Sequence, residues 1–333
     1  MELTELEIFR AVALEQSVTR AAQRLGRVQS NVTTRLRQLE DDLGVSLFHR
    51  DNKRMTLTPE GQGMLDYAER LLALAEEARQ AVRGGTPTGR LRLGSMEAAA
   101  ASRLPGPLTR FHEAWPQVTV EIQTGTTQAL ADAVAESRLD CAIVAHPHTG
   151  APAAADMREL AEGLEGRYLF TEDLMLVTPP GHPKPATAAD LRVRRLAAFA
   201  RGCTYRKCAL QWLEEQGGDP GQWTLLDLNS YDSILACVMA GTAVAVLPHS
   251  MIAMRRVPDG AGVVPLRPVH SYLIRRAGFD TAALREFAKM LGAEGQPGSN
   301  PGNPGNPGNQ ATRQSSSWTP PARKPHKARI RSQ

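Results

Sequence analysis

Apolar side chains recur at spacings of three and four residues along the first part of the chain, which predicts amphipathic helices. One predicted helix has Ala21, Ala22 and Leu25 as its apolar stripe, and Thr19 is its expected cap. Gly26 can supply a left-handed stop and a tight turn. The apolar stripe of the next helix consists of Val32, Leu36, Leu39 and Leu43. Two short helices joined in this way predict a helix-turn-helix.

The polar face of the second helix predicts contacts with DNA bases. A rotation of about 100° per residue from the apolar stripe points short, donor-rich side chains outward. Such side chains can hydrogen-bond to the edges of bases in a major groove. An ordinary solvated face is the alternative, but it leaves three weak helix formers in one exposed turn unexplained. The outward face and its flanks consist of Gln29, Ser30, Asn31, Thr33, Thr34, Arg35 and Arg37.

Two strand-like runs at 45–48 and 55–58 flank an Asp-Asn turn, which predicts a β-hairpin beside this helix. Its tip carries Arg50, Lys53 and Arg54, which suit the phosphate backbone. A surface turn with ordinary charge is the alternative. The neighbouring helix makes phosphate contact the better interpretation.

Thr58 and Pro59 then predict the start of a long helix, with threonine as cap and proline at the first helical position. Apolar residues follow in alternating steps of four and three until a Gly-Gly pair ends the pattern. Packing on its own domain is one interpretation of this seam, and pairing with a second copy is the other. A protein that recognises two DNA half-sites must be a dimer, which favours pairing with a second copy. The seam consists of Met64, Ala68, Leu71, Ala75, Ala78 and Val82.

Beyond residue 88 the pattern changes to alternating strands and helices, which predicts an α/β region rich in parallel strands. The predicted strands are 90–94, 118–122, 141–144, 174–178, 196–200, 225–228, 243–247 and 271–274. In such sheets a ligand binds beyond the carboxyl ends of the strands. Hydroxyl groups lie at these junctions, although helix capping also requires them there. The hydroxyl positions are Ser95, Thr126, Thr127, Thr204 and Ser230.

The chain resembles LysR-type transcriptional regulators over about residues 1–292. The resemblance lies in LEIFRAVALEQSVTRAAQRL, VQSNVTTRLRQLEDDLGVSLFHR and LTPEG, followed by the α/β region. It implies that Gln29, Ser30, Thr33 and Thr34 meet base edges, and Val28 departs from the family by lacking a capping hydroxyl. It also implies an effector in the cleft between two Rossmann-like lobes, like those of a solute-binding protein. The loops implied to hold the effector contain Ser95, Met96, Glu97, Thr126, Thr127, His146, Gly202, Cys203, Thr204, Tyr205, Ser230 and Tyr231.

Helix N-termini favour anions, so a small carboxylate is the predicted effector. Arg201 and Arg206 are candidates to pair with it bidentately, and a solvated loop charge is the equal alternative. A second hypothesis is thiol-redox sensing by Cys203 and Cys208, because nearby cations lower a thiol pKa. Five residues apart on a helix, however, the two thiols point to different faces. Cys141 and Cys237 are expected to be small core residues.

Composition narrows the class of protein. The 333 residues carry a formal charge of +4, but the tail from 293 holds six Lys and Arg and one acid, so the rest is about −1. Four cysteines without metal-like spacing predict reduced thiols in the cytoplasm. No apolar run is long enough to span a membrane, and we expect no signal peptide. We also find no nucleophile elbow or phosphate-binding glycine loop, and we expect no catalytic residue, metal or cofactor.

The predicted fold is α/β overall, with a winged helix-turn-helix at 1–58, a linker helix and hinge at 59–88, and a two-lobed effector domain at 89–292. The first lobe takes about 89–160 and 267–292, and the second about 161–266. The Pro/Gly/Asn-rich and basic tail at 293–333 is expected to be disordered, as a solubilising extension or a phosphate-binding arm. The expected function is a sequence-specific, effector-modulated regulator that binds DNA as a homodimer or homotetramer. RNA polymerase is a further expected partner, and a binding module without regulatory DNA binding is the remaining alternative.

Overall fold

Three helices, a hairpin and one long helix form the N-terminal part of the chain. A computed structural model describes residues 1–51, 54–83, 85–146, 158–255, 257 and 260–292. The predicted contacts of Lys53 and of the Arg50 side chain lie outside this description, and so does the predicted tail at 293–333. The elements are α1 (Leu3–Glu15), α2 (Val18–Arg24), α3 (Gln29–Leu43), β1 (Phe48–Asp51), β2 (Arg54–Leu57) and α4 (Pro59–Arg83).

The helix-turn-helix forms where the pattern predicts it, with one cap displaced. Ser17, and not Thr19, caps α2, because its hydroxyl accepts the Arg20 N–H. Gly26 has φ of +61°, the left-handed turn that the sequence predicts. Helix α3 begins after Val28, whose side chain makes no capping hydrogen bond. The helix start is therefore held by tertiary packing.

The hairpin is also shifted from its prediction. β1 begins at Phe48, three residues later than predicted, and Phe48 pairs with Leu57 in antiparallel register. Before it, Leu47 donates its N–H to the buried Glu40 carboxylate at 2.9 Å. Thr58 caps α4 as predicted, because its hydroxyl accepts the Gly61 N–H at 2.9 Å. Polar contacts with α3 thus delay the strand and fix where the hairpin begins.

One hydrophobic core supports these elements. Phe9 of α1 and Phe48 of β1 meet edge to face with ring centroids 5.4 Å apart. Leu36 and Leu39 of α3 are buried in the same core, and so is Ala68 of α4. The first half of α4 is therefore part of the N-terminal domain.

The rest of the described chain builds a nine-stranded sheet with helices around it. The strands are β3 (Gly89–Ser95), β4 (Val118–Thr124), β5 (Cys141–His146), β6 (Arg158–Ala161), β7 (Leu164–Thr178), β8 (Arg195–Ala198), β9 (Thr224–Asp227), β10 (Val244–Pro248) and β11 (Gly262–Arg276). The helices are α5 (Glu97–Ser102), α6 (Pro105–Ala114), α7 (Thr127–Ala135), α8 (Thr204–Glu215), α9 (Tyr231–Met239), α10 (His249–Ala253) and α11 (Ala282–Gly292).

The strand order is β4-β3-β5-β11-β7-β10-β8-β9, with β6 paired to β7. The outer strands on each side are parallel, as predicted. The two long central strands, β7 and β11, are antiparallel to each other and to their neighbours β10 and β5, which the pattern does not predict. Since both cross the middle of the sheet, they join the two lobes. The exact domain boundaries stay predictions. Among the described helices, none has a stretch that is both apolar and long enough to cross a bilayer.

Candidate nucleic-acid interface and ligand cavity

Helix α3 presents the predicted polar face to solvent. Val32, Leu36 and Leu39 hold its other face in the core. The side chains that are exposed, or half-buried in the case of Thr33 and Arg35, are Gln29, Ser30, Asn31, Thr33, Thr34, Arg35 and Arg37. The structure therefore places the predicted residues together on one accessible surface, and their role as DNA contacts stays a prediction.

Two contacts orient this surface, and sequence reasoning did not find them. The Thr19 hydroxyl of α2 donates to the Gln29 amide oxygen at 3.3 Å, so the neighbouring helix positions the first residue of α3. The Thr33 hydroxyl donates back to the Gln29 carbonyl at 3.0 Å, which leaves its methyl group and an oxygen lone pair available. These bonds limit the rotamers of the two side chains before any DNA binds.

Arg35 differs from the other predicted contacts. Its guanidinium lies 3.5 Å from the Glu2 carboxylate and 3.7 Å from that of Glu5 at the start of α1. This ion pair stabilises the helix packing and competes with a phosphate for the same donors. Arg37 and Arg54 are exposed and have no ion pair with any described side chain. They are the more accessible cations.

The predicted seam of α4 is only partly a free surface. Ala68 is fully buried and Met64 is half-buried against the N-terminal core, whereas Leu71 and Val82 are exposed by 37% and 87%. Ala78 is exposed and Ala75 half-buried. The exposed apolar face of α4 consists of Tyr67, Leu71, Leu74, Ala78 and Val82. Leu71, Ala78 and Val82 of the predicted seam are therefore available, whereas Met64 and Ala68 pack on their own domain, and Tyr67 and Leu74 extend the available face.

A cavity of about 280 Å³ lies at the carboxyl ends of β3, β4, β8 and β9. This is the place where α/β sheets bind ligands, because loops and helix starts from different strands converge there. Seven residues predicted to bind the effector line it: Met96, Glu97, Thr126, Thr127, Cys203, Tyr205 and Tyr231. Seven lining residues that sequence reasoning missed are Thr124, Gly125, Phe199, Ala200, Asp227, Leu228 and Asn229. The missed residues are the last positions of strands and the loops directly after them, so the ends of the predicted strands could have identified them.

The remaining predicted effector residues do not line this cavity. Ser95 is fully buried and donates its hydroxyl to the Met96 carbonyl. His146 lies edge to face with Tyr272, their centroids 6.3 Å apart. Ser230 caps α9, as the alternative interpretation expected, because it accepts the Asp232 N–H at 3.2 Å. The other three are Arg201, Gly202 and Thr204.

Gly202 and Thr204 instead connect the two lobes. The Thr204 hydroxyl lies 2.9 Å from the Ala145 carbonyl oxygen and 3.0 Å from the Thr127 hydroxyl. Gly202 has φ of +91°, its carbonyl accepts the Gln128 N–H at 3.2 Å, and a Cβ there would lie 2.9 Å from the Thr126 hydroxyl. Buried hydrogen bonds and a close backbone approach therefore hold the start of α8 against α7.

The two arginines proposed to pair with a carboxylate are not available at the cavity. Arg206 is buried, and its guanidinium lies 2.5 Å from the Asp227 carboxylate and 3.0 Å from the Phe199 carbonyl oxygen. It therefore ties α8 to β8 and β9. Arg201 is exposed on the loop before α8 and does not line the cavity. Their positions therefore do not support the expectation that these guanidinium groups pair with a ligand.

Two acidic side chains do line the cavity. Burial raises the pKa of Glu97, while the Tyr231 N–H and the charge of Arg255 oppose that rise. Asp227 is exposed and carries the ion pair with Arg206. Burial also raises the pKa of the phenol groups of Tyr205 and Tyr231, so both stay neutral and protonated at neutral pH. The lining is thus acidic and aromatic.

All four cysteines are free thiols. Cys141 is fully buried in the core, as predicted. Burial raises the pKa of Cys203 and of Cys208, so both are mostly protonated at neutral pH. A protonated thiol is a poor nucleophile toward peroxide, and the structure therefore gives no support to redox sensing. Within the described residues, no three side chains of His, Cys, Asp or Glu gather in a group that could hold a metal ion.

Two family models match the chain. The model for the bacterial regulatory helix-turn-helix protein, lysR family, matches residues 3–62, and the LysR substrate binding domain matches residues 84–296. HTH-type transcriptional regulator GltR of Bacillus subtilis (strain 168) is 34% identical over 254 residues, which cover 76% of this chain and 81% of that protein. The uncharacterized regulator YusT of the same strain is 32% identical over 297 residues, with 86% and 94% covered.

Solved structures agree on the fold. A full-length OxyR variant from Pseudomonas aeruginosa is similar with a TM-score of 0.63 and 25% identity, over 87% of this chain and 94% of that one. CbnR, a LysR family transcriptional regulator, has a TM-score of 0.60 and 24% identity, over 89% of this chain and 100% of that one. CbnR complexed with its target DNA has a TM-score of 0.59 at 24% identity, with 87% and 99% covered. The last two likenesses concern the fold alone.

Proposed function

Because the chain belongs to the LysR family of DNA-binding transcriptional regulators and carries that family's effector-binding domain, we propose that the exposed face of α3 reads its operator. Ser30 and Thr34 point outward at the start of the helix, where recognition helices meet base edges. The buried stripe on the opposite side fixes the orientation of this face. That fixed polar face is the observation that supports the proposal best.

The arginines beside this face supply the sequence-independent part of binding. Arg37 lies on α3 and Arg54 at the start of β2, both exposed. Each phosphate that they neutralise releases counterions, so binding weakens as salt rises. We assign affinity to these two residues and sequence preference to the hydroxyl-bearing positions.

Effector binding is assigned to the cavity between the lobes. Loops from both lobes line it, so a ligand there binds one lobe arrangement better than another. Only such a difference in affinity can shift the balance between two arrangements of the protomers. The protein is proposed to act as a homodimer or homotetramer in the cytoplasm, with RNA polymerase as the further partner, and we assign it no enzymatic activity. The effector class predicted from the sequence is a carboxylate.

Pairing of two copies is assigned to the exposed apolar face of α4. Tyr67, Leu71 and Leu74 lie there at heptad-like spacing and are exposed by 61%, 37% and 58%. A second copy would bury this face and place two α3 helices on a dyad site. In this assignment Tyr67 and Leu74 replace the seam positions that are buried or half-buried, which are Met64, Ala68 and Ala75.

Footprinting with the full chain tests the function. The DNA is the region upstream of its own gene and of the neighbouring gene, with random DNA as competitor. A protected dyad site is expected, and Ser30→Ala or Thr34→Ala is expected to change which base pairs are preferred, by about 1–3 kcal/mol per contact. Thr109→Ala, an exposed helical threonine in α6, is the matched control. Equal binding to random competitor would contradict the proposal.

A further inference from the structure

The charge of the cavity lining indicates what kind of effector it accepts. None of the described residues that line the cavity is a lysine, an arginine or a histidine. Glu97 and Asp227 line it, and Asp227 already faces the guanidinium of Arg206. A carboxylate ligand would therefore meet a second carboxylate at close range without a cationic side chain in the lining to offset the repulsion.

At two of the helix starts around the cavity, those of α7 and α9, backbone amides already have partners. The Gln128 N–H donates to the Gly202 carbonyl, and the Ala129 N–H to the Thr126 hydroxyl. At α9 the Asp232 N–H donates to the Ser230 hydroxyl at 3.2 Å. The cap residues of α5 and α8, Met96 and Cys203, make no side-chain cap hydrogen bond. An anion at the start of α7 or α9 would have to displace the contacts there, which weakens the physical basis for the predicted carboxylate.

Aromatic rings complete the lining. Phe199 and Tyr231 meet with centroids 4.7 Å apart and planes inclined at 64°. Tyr205 and Tyr231 also line the cavity and are exposed by only 5% and 4%. Aromatic faces attract cations through their quadrupole, most strongly where water is excluded. Arg255, 5.9 Å from the centroid of Tyr231, already uses that ring in this way.

We propose that the effector is a small organic cation with an ammonium group, held by the carboxylate of Glu97 and the rings of Phe199, Tyr205 and Tyr231. This inference rests on the proposed function for the statement that the ligand is an effector, and on the cavity alone for its charge. The volume of about 280 Å³ limits the ligand to a small molecule.

Three probes of similar shape separate charge from size: benzylammonium, benzyl alcohol and benzoate. Calorimetry with the full chain and no DNA measures their affinities. Benzylammonium is expected to bind at least about tenfold more tightly than either of the others. Glu97→Gln keeps the shape and removes the charge, so the advantage over benzyl alcohol is expected to disappear. Glu113→Gln, an exposed carboxylate on α6, is the matched control and is expected to keep the order.

The pH gives a second readout. Burial raises the pKa of Glu97, Asp232 raises it further, and Arg255 and the Tyr231 N–H lower it. As the pH falls through that pKa, Glu97 loses its charge, so benzylammonium binding weakens. Binding of benzyl alcohol, which has no charge, is expected to stay constant. A shared pH dependence of both probes would contradict a direct role for Glu97.

The outcomes separate the two proposals. Tightest binding by benzoate, an unchanged order in Glu97→Gln, or no benzylammonium binding at about 10 mM overturns the inference. If benzylammonium binds as expected and the protein shows no DNA preference, the inference stands and the proposed function fails. If the DNA footprint is specific and benzoate is the probe that binds, the function stands and the inference fails.

Discussion

The polar face of α3 and the cavity between the lobes differ in how the chain assembles them. The face comes from residues 29–37 of a single helix, whereas the cavity draws on four strand ends between residues 96 and 231. A helix fixes the direction of each side chain by its period alone. A cavity between strands depends on sheet order, which sequence neighbours do not determine. Local surfaces are therefore the safer predictions from a single sequence.

Their supports differ in the same way. The α3 face is held by apolar burial, with Leu36 exposed by only 2%. The cavity rim is held by polar contacts between lobes, such as the Thr204 hydroxyl on the Ala145 carbonyl. Apolar burial stabilises without directional constraint, whereas a buried hydrogen bond fixes one geometry. The first region therefore depends on close apolar packing, and the second on directional contacts between the lobes.

Leu36→Ala gives the largest expected effect and acts on the local face. Removing a buried leucine side chain leaves a cavity behind α3, which costs about 3 kcal/mol of the free energy of unfolding. Urea unfolding of the full chain measures the loss, and DNA binding should fall with it. Leu14→Ala on α1, exposed by 55%, is the control and should cost less than about 1 kcal/mol. Equal losses in the two variants would contradict the packing assigned to α3.

Thr204→Val acts on the assembled region. The substitution keeps the shape and removes the hydroxyl, so the buried Ala145 carbonyl loses a partner at a cost of about 1–3 kcal/mol. Thermal unfolding measures this loss. Thr224→Val, at an exposed position of β9, is expected to change stability by less than about 0.5 kcal/mol. The preferred operator sequence should stay the same in both variants. A changed preference would show that the contact between the lobes affects the polar face of α3, which the structure does not indicate.

The sequence was sufficient for most elements and for the polar face of α3. It also predicted loops at the carboxyl ends of strands that line the cavity, because hydroxyl and strand patterns are local. It could not show that Thr19 supports Gln29 and that Ser17 is the cap, since both residues fit a helix start equally well. It also could not show that β7 and β11 run antiparallel, because both directions give the same alternating pattern.

The cavity between the lobes also shows that a sequence alone does not predict the partner of a single side chain. Arg206 lies in the first turn of the helix that follows β8, where a ligand-binding arginine could also lie, yet Asp227 holds it in the interior. The two residues are adjacent only because β8 and β9 pair in parallel. The charge of the cavity lining therefore depends on which strands are adjacent in the sheet. The prediction of a carboxylate considered only the helix starts, so it did not include this charge.

Arg37→Ala tests the electrostatic part of the local face with a smaller effect. Loss of one phosphate contact lowers DNA affinity about equally for all sequences and reduces the slope of log affinity against log salt by about 1. Filter binding at several salt concentrations measures the slope, and Arg54→Ala should behave alike. Arg192→Ala, an exposed arginine in the loop before β8, is the control with an unchanged slope. An unchanged slope in Arg37→Ala as well would place phosphate contacts elsewhere.

Cys203→Ser has the smallest expected effect and separates effector sensing from thiol sensing. Burial raises the pKa of the Cys203 thiol, so little reactive thiolate exists at neutral pH. Peroxide treatment of the full chain is therefore expected to leave its DNA footprint unchanged, in this variant, in Cys208→Ser and in the parent protein. Mass spectrometry after treatment checks that the thiols stay reduced. A footprint that shifts with peroxide in the parent and in neither variant would restore the redox hypothesis, and with it a rearrangement that brings the two sulfur atoms together.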